Sequence, residues 1–117
     1  MSAIERGLAK LLDAPGVTGV ALVDGVTGLT YAVAGEETED ASELCETTAL
    51  IAESLARAGA RGEVESVIVT SARRHYVTFL VRRQGDPLLL SAILDRARTN
   101  IALAMRDLSG RAAEVLA

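Results

Sequence analysis

The stretch DPLLLSAILDRARTNIALAMRDL, Asp86–Leu108, decides how the rest of this chain is read. Leu88 to Leu94 is a nearly unbroken apolar run of strand length, the pattern of a strand buried on both faces. Asp95-Arg96 interrupts it. Beyond the break Ala97, Ile101, Ala104, Met105 and Leu108 recur at helical spacing, with Asp95 placed to cap the helix. The tail Ser109–Ala117 extends this helix, although Gly110 weakens it. Pro87 opens the strand, and Gln84-Gly85-Asp86 turns the chain into it.

An interior strand needs partners, and the residues upstream supply them. Ser2-Ala3-Ile4-Glu5 reads as a capping box at the start of a helix carrying Ile4, Leu8, Leu11 and Leu12, which Pro15-Gly16 ends. Val17–Asp24 and Leu29–Ala34 read as two strands joined by the turn Gly25-Val26-Thr27-Gly28. An acidic loop, residues 35–40, leads into a second helix with Thr38 as N-cap, running to about Ala58 with Gly59 closing it. Glu39, Asp40 and Glu43 sit where the helix dipole favours negative charge. The apolar positions of this helix are Ala41, Leu44, Cys45, Thr48, Ile51, Ala52 and Leu55. Val64–Thr70 is a third strand rich in β-branched residues. His75–Arg83 is a fourth, alternating His75, Val77, Phe79 and Val81 with Tyr76, Thr78, Leu80 and Arg82. The order α-β-β-α-β-β-β-α predicts one α+β domain over residues 1–117, with a five-stranded, mainly antiparallel sheet flanked by three helices.

Chemistry-bearing residues are few. The chain has 117 residues, half of them apolar, enough for a core without disulfides or metal. One histidine, His75, has no base–nucleophile partner at a telling spacing, so the expectation is a histidine at a turn or sheet surface and no catalytic residue. One cysteine and one histidine cannot build a zinc site, and the carboxylates at 36, 37, 39 and 40 lack calcium-loop spacing. No glycine-rich phosphate loop is present. The expectation is therefore no cofactor, no metal and no enzyme activity. A net charge of −4 and three aromatic residues argue against nucleic-acid binding. Cys45 has no internal disulfide partner and reads as a small apolar residue on a helix face. With no leader-like segment and no run of membrane-spanning length, a cytoplasmic protein is expected. Arg73-Arg74 and Arg82-Arg83 flank the fourth strand as a small anion patch or as solubilising charge.

Val67-Ile68-Val69 is continuous and apolar, and its place in the order makes the third strand a sheet edge. Such an edge is an aggregation hazard unless something covers it. The same strand of a second copy would cover it and bring the second helix beside its symmetry mate.

VTGVALVDGVTGLTYAVAG at 17–35 and LLLSAILDRARTNIALAMRDL at 88–108 resemble the roadblock/dynein light-chain family. The second stretch is similar to the ending of its bacterial members, through Leu94, Asp95, Arg96, Arg98, Asn100, Ile101, Ala102, Leu103 and Ala104. The glycine-bounded hairpin alone would also suit profilin-, PAS- or GAF-like sensors, for which Tyr31, His75 and Tyr76 are the candidate ligand contacts. The resemblance implies a profilin-like roadblock fold and a non-catalytic scaffold, homodimeric or paired with a paralogue. It also implies a small Ras-like GTPase as partner, with a histidine-kinase-like protein as a further one. The dimer residues expected are Leu44, Thr48, Ile51, Ala52 and Leu55 on the second helix and Val67, Ile68 and Val69 on the third strand. Glu39, Asp40 and Glu43 are expected to steer a basic partner.

Overall fold

The fold is described from a computed structural model that covers residues 2–36, 39–81 and 87–115. The elements are α1 (Ala3–Leu11), β1 (Val17–Asp24), β2 (Thr30–Gly35), α2 (Glu39–Arg57), β3 (Ser66–Thr70), β4 (Arg74–Val81), β5 (Leu88–Asp95), a 3-10 turn (Arg96–Arg98) and α3 (Ile101–Val115). The sheet runs β2-β1-β5-β4-β3, with every neighbouring pair antiparallel. This is the α+β architecture expected from the element order.

β5 occupies the centre. Seven of its eight residues are buried, because β1 and β4 flank its edges and helices cover its faces. Its even-numbered side chains, from Leu88 to Leu94, join Val20, Leu22 and Val77 in the main core. Leu8 and Leu11 of α1 and Leu108 and Ala112 of α3 close that core from above. The opposite face is far thinner. There Val23, Leu89 and Cys45, with Ala21 and Leu80, form a small cluster under α2. Thr78, Ser91 and Thr48 are buried beside it, so small polar groups replace much of the apolar packing.

Local signals largely explain the helix ends. Ser2 caps α1 by accepting the Glu5 amide at 3.1 Å, while its hydroxyl donates to the Glu5 carboxylate at 3.1 Å. The capping box thus closes through the Ser2 hydroxyl. α2 ends in a Schellman motif. The Ala60 amide donates to the Leu55 carbonyl at 2.8 Å and the Gly59 amide to the Ala56 carbonyl at 3.1 Å, with Gly59 at φ +96°. The predicted N-cap Thr38, the arginines 82 and 83 and the turn 84–86 lie outside the described residues.

The start of the last helix differs from the sequence expectation. Asp95 accepts the Ala97 amide at 3.0 Å, but what it caps is the 3-10 turn, which holds Ala97 in an exposed position. α3 begins at Ile101. Its cap is Asn100, whose side-chain oxygen accepts the Ala102 and Leu103 amides at 3.1 and 3.2 Å. The intervening turn lets the chain leave the sheet before the helix folds back across it. Gly110 stays within α3.

Gly16 fastens β1 to this junction. Its carbonyl accepts the Asp95 amide at 2.8 Å, its φ is +83°, and a Cβ there would collide with the Thr99 hydroxyl. Asn100→Ala removes two accepted hydrogen bonds at the start of α3. It should lower the free energy of unfolding by about 1 kcal/mol in urea titrations, the usual cost of losing such a cap.

Candidate functional site

β3 is an edge strand, and among the described residues no strand pairs with its outer side. Its residues run from half-buried at Ser66 and Val67 to exposed at Ile68, Val69 and Thr70, with Ile68 at 42% exposure. Val67 and Val69 pair with Thr78 and Tyr76, whereas Ile68 pairs with the core residue Val77. Side chains alternate along a strand. Val67 and Val69 therefore lie on the α2 side of the sheet and Ile68 on the α1/α3 side.

α2 packs over β4 and β5. Cys45 and Thr48 are buried beneath it, and the Thr48 hydroxyl donates to the Leu44 carbonyl at 2.8 Å. At helical spacing Leu44, Ile51 and Leu55 form a single stripe beside that buried line. Leu44 and Ile51 are half-buried and Leu55 is 41% exposed. The opposite flank, Glu46, Ala49 and Glu53, faces the β1–β2 turn across a groove of about 320 Å³. The Leu44–Ile51–Leu55 stripe consequently looks towards β4 and β3. Val67 and Val69 lie on the same side of the sheet as this stripe, one strand further out.

The groove on the other flank was not legible in sequence. Val23, Leu89 and Cys45 form its floor, and Leu50, 62% exposed, stands at its mouth with Glu46 and Glu53. Leu50 falls outside the apolar periodicity of α2, so it carried no signal. Asp24 braces the wall. Its carboxylate accepts the Val26 amide at 2.7 Å, the Thr27 amide at 2.9 Å and the Tyr31 hydroxyl at 2.9 Å. These bonds, led by the two backbone amides, hold the Asp24 carboxyl below the ordinary carboxylate value.

The candidate ligand-contacting side chains do not converge. His75 and Tyr76 are consecutive on β4 and point to opposite faces, and Tyr31 sits on β2 at the far side of the sheet. His75 is buried rather than lying at a turn or sheet surface, and its Nδ1 is 2.8 Å from the Thr70 hydroxyl. Burial pushes the Cys45 thiol up, against an opposing hydrogen bond with Ser91. Among the described residues no group of three or more His, Cys, Asp or Glu side chains is arranged to hold a metal, and no helix is long and apolar enough to cross a membrane.

Arginines gather at the β3–β4 turn. Arg73, Arg74 and Arg96 line an open hollow of about 610 Å³. Arg74 pairs with Glu36 at 2.6 Å, and Arg96 donates to the Ser71 carbonyl at 3.2 Å. Arg73 is exposed.

The sequence matches no protein-family model and no curated protein. Solved structures do match, over nearly the whole chain. Myxococcus xanthus MglB shares 20% identity at a TM-score of 0.71, covering 99% of this chain and 96% of that one. A roadblock/LC7 domain from Streptomyces avermitilis shares 17% at a TM-score of 0.73, with 95% and 92% covered. MglC from Myxococcus xanthus shares 18% at 0.70, with 97% of each chain covered. This chain has the roadblock/LC7 fold.

On the roadblock scaffold the expected dimer residues fall into two groups. Leu44, Ile51, Leu55, Val67 and Val69 lie on the α2 side of the sheet, with Ile68 on the strand's other face. Thr48 packs inward against its own sheet at 2% exposure, and Ala52 is half-buried next to it at helical spacing. Glu43 is exposed on the first half of α2. Glu39 and Asp40 open the helix, but their side chains lie outside what is described.

The Asp24 bonding has a pH signature. A carboxyl whose pKa falls on folding stabilises the fold above its unfolded value, and that stability is lost as pH drops through the folded value. The stability gap between wild type and Asp24→Asn should thus be full at pH 7 and should close below about pH 4. Thermal melts across that range would show it.

Proposed function

We propose that this roadblock-fold chain is a non-catalytic homodimeric scaffold that binds a small Ras-like GTPase and modulates its nucleotide cycle or its location. The observation that carries the scaffold reading is the open β3 edge, with the Leu44–Ile51–Leu55 flank of α2 one strand inward. An uncovered, β-branched edge strand near a helix stripe is a surface built for another protein. α2 is also the helix with the thinnest core beneath it, so a second copy would add packing where the monomer has least. β3 of two copies would join in one continuous antiparallel sheet, with the two α2 helices side by side on one face.

The GTPase enters through the family resemblance, supported by the likeness to MglB and MglC structures. Chemistry in this reading belongs to the partner. The scaffold would act by binding one conformation of the GTPase more tightly than another, and it shifts the equilibrium only by that difference. Exposed Glu43, with Glu39 and Asp40 in the same first turns, would steer a basic partner surface and raise its association rate, an effect that salt weakens. Leu50 in the acidic-rimmed groove adds an apolar contact at the centre of the same exposed helix.

Ile68→Lys places a charge at the middle of the edge and should convert the dimer to a monomer in light scattering. A variant that keeps a dimeric mass would count against strand pairing. For the partner, the hydrolysis and exchange rates of a Ras-like GTPase from the same cell are measured with and without the protein. An altered rate, or binding without one, supports the regulator or the localising role. Neither binding nor a rate change across the cell's Ras-like GTPases would overturn the GTPase reading.

A further inference from the structure

The backbone of β3 restricts how a second copy can pair with it. The Leu80 amide donates to the Glu65 carbonyl at 2.9 Å and the Ser71 amide to the Arg74 carbonyl at 2.9 Å. Both bonds lie in the register that sets Ser66 opposite Phe79 and Thr70 opposite His75. Bonded and non-bonded pairs alternate in an antiparallel ladder. The odd-numbered residues of β3 are therefore bonded to β4, and the amides and carbonyls of Ser66, Ile68 and Thr70 point out from the open edge.

Symmetry narrows the choice again. A two-fold axis perpendicular to the sheet keeps both α2 helices on one face. Residues placed opposite each other must then come from the same face, and side chains alternate along a strand. The axis must therefore lie midway between one residue and its own copy, and for a strand of five residues the overlapping choices are Val67, Ile68 or Val69. Centring on Ile68 sets Ser66 opposite Thr70 and lays the whole of β3 on its copy, with every outward amide and carbonyl paired. Centring on Val67 leaves Thr70 beyond the end of the partner strand, and centring on Val69 leaves Ser66 facing the β3–β4 turn.

Charge agrees with the central choice. Continued past the strand ends, the Ile68 register brings Ser71 opposite Glu65 and sets the turn that carries Arg73 beside Glu63–Glu65 of the other copy. All three charged residues are exposed, and among the described residues none has an ion-pair partner in its own chain. The two-fold axis repeats the match at the other end. The Val67 register would instead set that turn beside residues 61–63, where Arg61 offsets Glu63.

We infer that β3 pairs with its own copy in one register, centred on Ile68, with Arg73 of each copy meeting Glu63 and Glu65 of the other, so that the edge selects a second copy of this chain. The inference rests on the homodimer reading above and adds its register and its means of choosing a partner. Exposed ion pairs stabilise weakly. Their effect here is to penalise a partner edge that presents like charge.

Two variants test the charges. Arg73→Glu makes the edge wholly acidic, and Glu63→Arg with Glu65→Arg makes it wholly basic. Each alone should dimerise about tenfold more weakly at low salt, with the loss shrinking in high salt. Mixed, they should form the heterodimer in excess over both homodimers in native mass spectrometry. A statistical mixture would overturn the charge selection.

Cysteine cross-linking tests the register. In a bonded antiparallel pair the Cα atoms stand about 5.5 Å apart, within disulfide range. Ile68→Cys should oxidise to a covalent dimer, while Val67→Cys and Val69→Cys should not. Wild type, with its buried Cys45, is the background. A mixture of Ser66→Cys and Thr70→Cys should yield the mixed disulfide, which covers the case of a misfolded Ile68 variant. Preferred cross-linking at 67 or 69 would overturn the register and leave the dimer standing. A dimeric wild type in which none of these positions cross-links would place the interface elsewhere. A monomeric wild type would overturn both this inference and the homodimer reading.

Discussion

The rest of the structure depends on β5 being paired on both edges. A strand of eight residues with seven buried has no polar face to show to water, so its backbone groups must be met by neighbours on each side. β1 meets them from Val17 to Asp24 and β4 from Arg74 to Val81. The strand that comes last in sequence thus lies in the middle of the sheet. That insertion pushes β2 and β3 to the rims and produces the two open edges.

The two faces of the sheet then take unequal roles. α1 and α3 cover one face with leucines, and that side holds the fold together. α2 covers the other over a small cluster with buried Thr48, Thr78 and Ser91, where hydroxyl groups occupy space that aliphatic side chains would otherwise fill. The more weakly seated helix packs over β5 and β4, the neighbour of edge strand β3. Under the proposed pairing, the side of the molecule that contributes least to its own stability is the side that meets other proteins. Stability and recognition would then be separated across a single sheet, and substitutions at the edge would alter association before they alter folding.

Much of this was readable from residue pattern. The apolar run at 88–94, the alternation of β4 and the glycine-bounded hairpin specified strands, because side-chain period follows directly from backbone geometry. Gly59 announced the end of α2 because a left-handed residue is needed there. Other features were hidden. Asp95 has the chemistry of a helix cap and does cap, but its turn is 3-10. The helix waits for Asn100, five residues on, since the chain must first clear the sheet. His75 read as a surface histidine because sequence does not show that Thr70 stands opposite it. Thr48 sits in the apolar stripe of α2, yet only packing reveals that it is buried against its own sheet.

By itself, the sequence determined the kinds of elements, their order and the apolar character of β3, all consequences of local period, capping and turn chemistry. Only the tertiary structure decided that β5 enters between β1 and β4, which leaves β3 at the rim expected from its place in the order. It alone decided which backbone groups of β3 point outward, and that Leu44, Ile51 and Leu55 turn towards that rim while Leu50 turns away. These depend on contacts between residues far apart in the chain, and no local pattern encodes the order in which strands lie side by side.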